Sequence, residues 1–225
     1  MTLSLVGCCA RTGMLGAIVM SSSPAVAARC ARARARVGAA CSQNVTDPAL
    51  GDALLDRIAA GASAPDALAA VTAAGANIDH RQLTVVDAFG RSASFSGEQT
   101  LGAHADCTGT DCAAAGNLLA DPSAPAAMAA AFAADPAAHL GDRLLQALRA
   151  GRDAGGEEGD VHSAGVIVVD AVSWPVTDLR VDWTEADPVE ELASLWQRWQ
   201  PLASDYVTRA LDPRSAPSYG VPGDE

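Results

Sequence analysis

Strand-like and helix-like segments alternate in blocks along this chain, and their order restricts the fold more than any other feature. Three strands are predicted in the opening block, at residues 2–9, 16–22 and 34–42, where apolar runs are bounded by turn residues. Two helices follow, one over residues 47–60 and one beginning after Ser63, a residue type that caps helix N-termini. Strands followed by a pair of helices indicate helices packed on the face of a sheet.

The remainder of the chain continues this alternation. Strands are predicted at 82–87, 91–96, 101–105 and 112–119, helices at 123–134 and 138–150, strands at 161–171 and 177–183, and a last helix at 188–200. The pattern predicts an α+β fold. Because neither a repeat nor a clean linker divides the chain, we predict one domain over residues 1–202 and an extended C-terminal tail over residues 203–225.

The charged residues exclude several classes of function. The formal net charge is −12, and all 15 basic residues are arginines. An acidic chain is poorly suited to nucleic acid, and a chain without lysine has neither a lysine Schiff base nor a P-loop lysine. Arg32, Arg34 and Arg36 alternate with alanines and would share one face of a strand. They form either an exposed face that pairs with acidic groups or an anion-binding wall.

The six cysteines are best interpreted as thiols of the core. Cys8 and Cys9 are adjacent and have apolar neighbours, which favours reduced, buried side chains. Cys107 and Cys112, with His104 nearby, leave a zinc site or a short disulfide loop as less favoured alternatives. We predict neither a metal nor a cofactor.

The first residues contain two patterns that are typical of exported proteins. Leu5-Val-Gly-Cys8 is similar to a lipid-attachment box, and residues 14–28 end in small side chains like those at a signal-peptidase site. A signal also needs basic residues before its apolar core, and residues 1–10 contain none. We therefore predict a cytoplasmic protein with no membrane segment, and keep secretion with cleavage near Ala28 as the alternative.

Several motifs together resemble one family. They are Met1-Thr-Leu-Ser4, Cys41-Ser-Gln-Asn-Val-Thr-Asp-Pro48, His80-Arg-Gln-Leu-Thr-Val-Val-Asp87, Ala115-Gly-Asn-Leu-Leu119, Ser163-Ala164 and Asp178-Leu-Arg-Val-Asp182. The chain resembles domain-of-unknown-function family 1028, a bacterial family described as Ntn-hydrolase-like, over roughly residues 1–200. The stretch 29–36 departs from the family pattern by its extra arginines. The resemblance implies a four-layer αββα sandwich.

The resemblance also implies a catalytic residue. In active Ntn hydrolases the first residue of the mature chain, a Thr, Ser or Cys, attacks an amide-like carbonyl group. Thr2 follows Met1, and removal of Met1 would leave Thr2 with a free α-amine. An α-amine has an ordinary pKa of about 7.7–8.0, which suits a general base near neutral pH. The alternative is that Thr2 merely begins an edge strand.

Supporting residues are nominated from their types and positions. Asn117 is a candidate catalytic residue, since a side-chain amide can stabilise an oxyanion. The candidate substrate-binding residues are Ser4, Ser21, Ser22, Asn44 and Arg81. Arg81 would bind a substrate carboxylate or, alternatively, pair with Asp79.

These observations predict a hydrolase of a C–N bond, amide or ureido, in a small carboxylated molecule. A non-catalytic ligand-binding or scaffold protein is the alternative. We also predict a homo-oligomer, specifically a homodimer, because the aromatic residues of this aromatic-poor chain are concentrated after residue 173. The tail over residues 203–222 would cross the domain or its symmetric partner.

Overall fold

The structure, a computed structural model, describes residues 2–222. In chain order its elements are β1 (Thr2–Cys8), β2 (Leu15–Ser21), α1 (Val26–Cys30), β3 (Ala31–Arg34), β4 (Gly38–Asn44), α2 (Pro48–Ala59), α3 (Ala64–Ala74), β5 (Arg81–Asp87), β6 (Ser92–Ser96), β7 (Ala105–Gly109), β8 (Cys112–Asn117), α4 (Ala124–Ala134), α5 (Leu140–Asp153), β9 (Ser163–Val169), β10 (Thr177–Val181), α6 (Pro188–Trp199) and α7 (Ala203–Leu211). The predicted α+β class is confirmed.

The strands form two antiparallel sheets. One sheet has six strands in the order β10-β9-β2-β1-β8-β7, and the other has four in the order β3-β4-β5-β6. β1 is therefore an interior strand, flanked by β2 and β8, and not the edge strand considered as an alternative. Its register places Thr2 opposite Asn117 of β8 and Leu3 opposite Met20 of β2.

Alternation along β1 determines which side chains face which layer. Leu3 and Leu5 point to a core that includes Phe132 of α4 and Leu144 of α5. Val6 and Cys8 point the other way, into a core shared with the four-stranded sheet. The two sheets thus pack face to face, and Thr2 and Ser4, on the same side of β1 as Val6, lie on the face between them.

The four-stranded sheet is covered on its outer face by α2 and α3. Leu54, Leu68 and Val71 of these helices pack against Leu83 and Val85 of β5. The predicted cap of α3 is confirmed, since the Ser63 hydroxyl accepts a hydrogen bond from the Asp66 N–H at 3.2 Å. Gly90, in the turn between β5 and β6, has a φ of 78°, a conformation that favours glycine.

The third predicted strand is wrong in its extent, because residues 34–42 include a tight turn. Residues 35–37 connect β3 to β4, and Arg36 adopts a left-handed φ of 63°. Arg36 consequently does not share a strand face with Arg32 and Arg34. Those two arginines instead form ion pairs with α2, at 3.5 Å to Asp52 and 2.9 Å to Asp56.

The segment after residue 202 also differs from the extended path that was expected. Residues Ala203–Leu211 form α7, which has no buried residue. Tyr206 stacks on Trp199 of α6 at a ring separation of 5.0 Å. A ring contact therefore joins α7 to the last turn of α6.

The cysteines and the helices were also the subject of predictions from the sequence. Five cysteines are buried and Cys107 is partly exposed, in agreement with their interpretation as core thiols. Within residues 2–222, no helix combines the length and the apolar character needed to cross a bilayer.

Candidate active site

Thr2 begins β1 and lies on the face where the two sheets pack together. It is 5% exposed, and the antiparallel register places Ser21 on one side of it and Asn117 on the other. The Thr2 and Ser21 hydroxyl oxygens are 3.4 Å apart. Three of the residues nominated from sequence, Thr2, Ser21 and Asn117, are therefore neighbours in the structure.

A chain of hydroxyl groups leads from Thr2 to a guanidinium. Ser21 Oγ is 2.9 Å from Ser23 Oγ, and Arg29 Nη2 donates a hydrogen bond to Ser23 Oγ at 2.7 Å. Arg29 also donates to the Pro24 carbonyl at 3.1 Å, and it forms no ion pair with any carboxylate of residues 2–222. Arg29 was not nominated from sequence, because the short helix α1 that orients it was not predicted.

Below Thr2, buried amides form a network between the two sheets. The Ser4 hydroxyl donates to Gln43 Oε1 at 2.6 Å, and Gln43 Nε2 donates to Gln82 Oε1 at 2.8 Å. Gln82 Nε2 donates to the carbonyl of Gly116 at 3.0 Å. Ser4 is fully buried, so the structure places this nominated residue in the framework that supports Thr2.

The network fixes the orientation of Asn117. Gln43 Nε2 and Gln82 Nε2 both donate to backbone carbonyls, so Gln82 Oε1 must be an acceptor. Asn117 Nδ2 therefore donates to Gln82 Oε1, at 3.1 Å. Asn117 Oδ1 remains buried with no hydrogen-bond partner among the described residues. A buried acceptor of this kind is costly unless a donor reaches it.

A second buried polar group, Glu157, lies beside Ser22. Glu157 is 6% exposed, and its Oε2 accepts a hydrogen bond from the Ser22 N–H at 3.1 Å. Its Oε1 is buried and has no partner in the part of the chain described. Burial raises the pKa of Glu157 to about 8, although the positive N-terminal amine and the Ser22 N–H oppose the rise. Glu157 was not among the residues nominated from sequence.

Asn44 and Arg81 face each other across β4 and β5, next to the amide network. Asn44 Nδ2 donates to the His80 carbonyl at 2.7 Å, and its Oδ1 accepts from the Leu101 N–H at 3.2 Å. Arg81 donates to the carbonyl of Val45. These contacts are made to loop backbones, and none of them reaches Thr2, so the structure assigns both residues a part in fixing loops.

Comparison with known proteins identifies relatives but no activity. The sequence model of DUF1028, described as a family of unknown function, matches residues 2–192. The crystal structure of protein SPO2555 from Silicibacter pomeroyi, assigned to the same family, is similar with a TM-score of 0.80 and 29% sequence identity, over 88% of each chain. No curated protein is significantly similar to the chain.

Proposed function

We propose that this chain, which belongs to the DUF1028 family, is an Ntn-hydrolase-like enzyme that cleaves a C–N bond in a small carboxylated molecule. The helix-covered pair of facing sheets then corresponds to a four-layer αββα sandwich. The observation that carries the proposal is the position of Thr2 at the start of an interior strand, between Ser21 and Asn117 and on the face shared by the sheets.

The proposal requires that Thr2 is the first residue of the mature protein. Its neutral α-amine then accepts the proton of the Thr2 hydroxyl while Oγ1 attacks the substrate carbonyl carbon. The C–N bond breaks, and the α-amine passes the proton to the departing nitrogen. Water releases the acyl group by the reverse sequence of proton transfers.

Asn117 has two separate parts in this reaction. One hydrogen of Nδ2 is engaged by Gln82, and the second is free to donate to the oxyanion that forms on the substrate. The unpartnered Oδ1 suits a different donor, the α-amine of Thr2. An amide held by the network from behind presents both atoms without a rotation during the reaction.

The position of Arg29 supports the proposal that the substrate carries a carboxylate. Its guanidinium is linked to Thr2 through Ser23 and Ser21, and no protein carboxylate in the described residues pairs with it. A guanidinium binds a carboxylate through two parallel hydrogen bonds. The nominated Arg81 is a weaker candidate for this role, because its guanidinium is bound to the Val45 carbonyl.

The test compares Thr2→Ala with Thr12→Ala, a control at an exposed turn. Both proteins are checked by mass spectrometry for the first residue and are assayed against small acyl-amide and ureido acids. We expect the Thr2 variant to fold normally and to lose turnover by at least about 10³-fold, as removal of a nucleophile does. Full turnover in the Thr2 variant would exclude the mechanism.

One observation favours a non-catalytic ligand-binding protein instead. Thr2 is only 5% exposed, so its hydroxyl is covered in this structure. Saturable binding of a carboxylated amide without turnover, in a protein whose first residue is shown to be Thr2, would support this second function.

A further inference from the structure

The segment that contains Glu157 crosses the end of the six-stranded sheet beside the start of β1. On one side Glu157 accepts a hydrogen bond from Ser22, the residue after β2. On the other side it forms a bridge with Leu119, and the Glu158 N–H donates to the Leu118 carbonyl at 2.9 Å, just after β8.

This arrangement determines where the carboxyl group lies. β2 and β8 are the two neighbours of β1, and Ser21 and Asn117 flank Thr2. A segment that contacts the next residues of both neighbouring strands lies on the N-terminal side of Thr2. The α-amine of a mature Thr2 points to that side, because the backbone nitrogen precedes the Cα along the strand.

No cationic side chain of residues 2–222 neutralises Glu157. Among residues 2–222, no arginine or histidine forms an ion pair with Glu157, and the adjacent Glu158 is exposed. A carboxyl with one unpartnered buried oxygen requires a donor, and an α-amine supplies one.

We propose that Glu157 is the positioning residue for the Thr2 α-amine: its Oε1 accepts an N–H of the amine and thereby aims the nitrogen lone pair at the Thr2 hydroxyl. The inference rests on the proposed function, since it assigns a partner to the base of that reaction. When the amine takes the hydroxyl proton, the ionised form of Glu157, which predominates above about pH 8, stabilises the ammonium. The proton later leaves with the departing nitrogen, so Glu157 ends each cycle as it began.

A direct test measures the pKa of the α-amine without any substrate. The chain contains no lysine, so the N-terminal amine is the only primary amine that trace acetylation with acetic anhydride can label. The protein is produced by cleaving a fusion immediately before Thr2, and the pKa of the unmodified amine is obtained from the rate of its trace acetylation, measured by mass spectrometry from pH 5 to 11. In Glu157→Gln, which keeps the shape and removes the charge, we expect the amine pKa to fall by about 1 unit or more.

Glu158→Gln is the matched control, because it removes the same charge at the next position from an exposed side chain. The control should shift the amine pKa by less than about 0.3 units, since screened surface charges interact weakly. Equal amine pKa values in the wild type and Glu157→Gln would overturn the proposal, whether or not the protein is an enzyme.

Kinetics provide a second readout that a purely structural role would not change. With any substrate that is turned over, Glu157→Gln should lower kcat with little change in KM and move the acid limb of the rate profile to lower pH. Loss of turnover in Thr2→Ala tests the hydrolase itself, so failures of the two ideas are distinguishable. An unchanged pH profile in Glu157→Gln would contradict the positioning role.

Discussion

At the scale of single residues, the site consists of polar atoms whose partners are determined by backbone carbonyls. The carbonyls of Ala115 and Gly116 orient Gln43 and Gln82, and Gln82 in turn orients Asn117. A buried network of this kind holds its last member in one rotamer, because any rotation would leave another donor or acceptor unpaired. Asn117 Oδ1, which has no hydrogen-bond partner among residues 2–222, is therefore held in a fixed position beside Thr2.

Glu157 should make the stability of the protein depend on pH. Burial raises its folded-state pKa from an ordinary 4.5 to about 8, so between these values the native state binds more protons at this site than the unfolded state. Its contribution is fully present below about pH 4.5 and is lost as the pH rises towards 8. We expect Glu157→Gln to gain stability relative to the wild type as the pH increases from 5 to 8, measured by urea denaturation.

The control for this pH dependence is again Glu158→Gln. Its free energy of unfolding should follow that of the wild type across the same range, because Glu158 is exposed. A difference between Glu157→Gln and the wild type that is the same at pH 5, 6.5 and 8 would show that the buried carboxyl does not titrate in this interval.

At the scale of elements, one carboxylate joins a helix to a hairpin. Asp87 is the last residue of β5, and its side chain is 1% exposed. It accepts hydrogen bonds from the N–H of Ala64 at 3.1 Å, of Phe89 at 2.9 Å and of Arg91 at 3.1 Å, and from the Arg91 guanidinium at 2.7 Å. The start of α3 and the turn between β5 and β6 therefore share one acceptor.

Asp87→Ala should destabilise both elements together. The substitution leaves the buried Ala64 N–H and three partly buried N–H donors without their acceptor, which predicts a loss of about 3 kcal/mol in the free energy of unfolding. Asp66→Ala is the control, since Asp66 is an exposed residue in the first turn of the same helix and should cost only about 0.5 kcal/mol. Chemical denaturation measures both values, and equal losses would show that Asp87 has no special role.

The elements could be predicted from the sequence where local chemistry determines them. The predictions failed where tertiary contacts determine the local structure. Ser63 and Gly90 are a cap and a turn residue, and both act as their types indicate. The β3–β4 turn was missed because residues 35–37 lack the usual turn residues, and Arg36 adopts a conformation that is rare for its type. The ion pairs of Arg32 and Arg34 with α2 hold the hairpin in place.

At the scale of the whole molecule, the difference between local and tertiary determinants explains which residues of the site could be predicted. Thr2, Ser21 and Asn117 were nominated from their side-chain types and their positions in or beside predicted strands. Gln82 and Glu157 were not nominated, because their importance arises from contacts between segments that are distant in sequence. Glu157 meets Ser22 over a separation of 135 residues, and no local pattern encodes that approach.

The C-terminal segment offers the last prediction. α7 has no buried residue, and Tyr206 at 41%, Leu211 at 65% and Tyr219 at 55% are exposed. The homodimer predicted from sequence would bury these side chains, which are of the types enriched at interfaces. We expect the full chain to sediment as a dimer, and a chain ending at Leu202 to sediment as a monomer with its sheets intact by circular dichroism.

In the full chain, Leu211→Asp should also weaken the dimer, whereas Leu101→Asp, a control at another exposed leucine, should not. If the full chain and the truncated chain sediment with the same number of subunits, α7 does not form the interface, and Tyr206 serves only to cover Trp199 of its own chain.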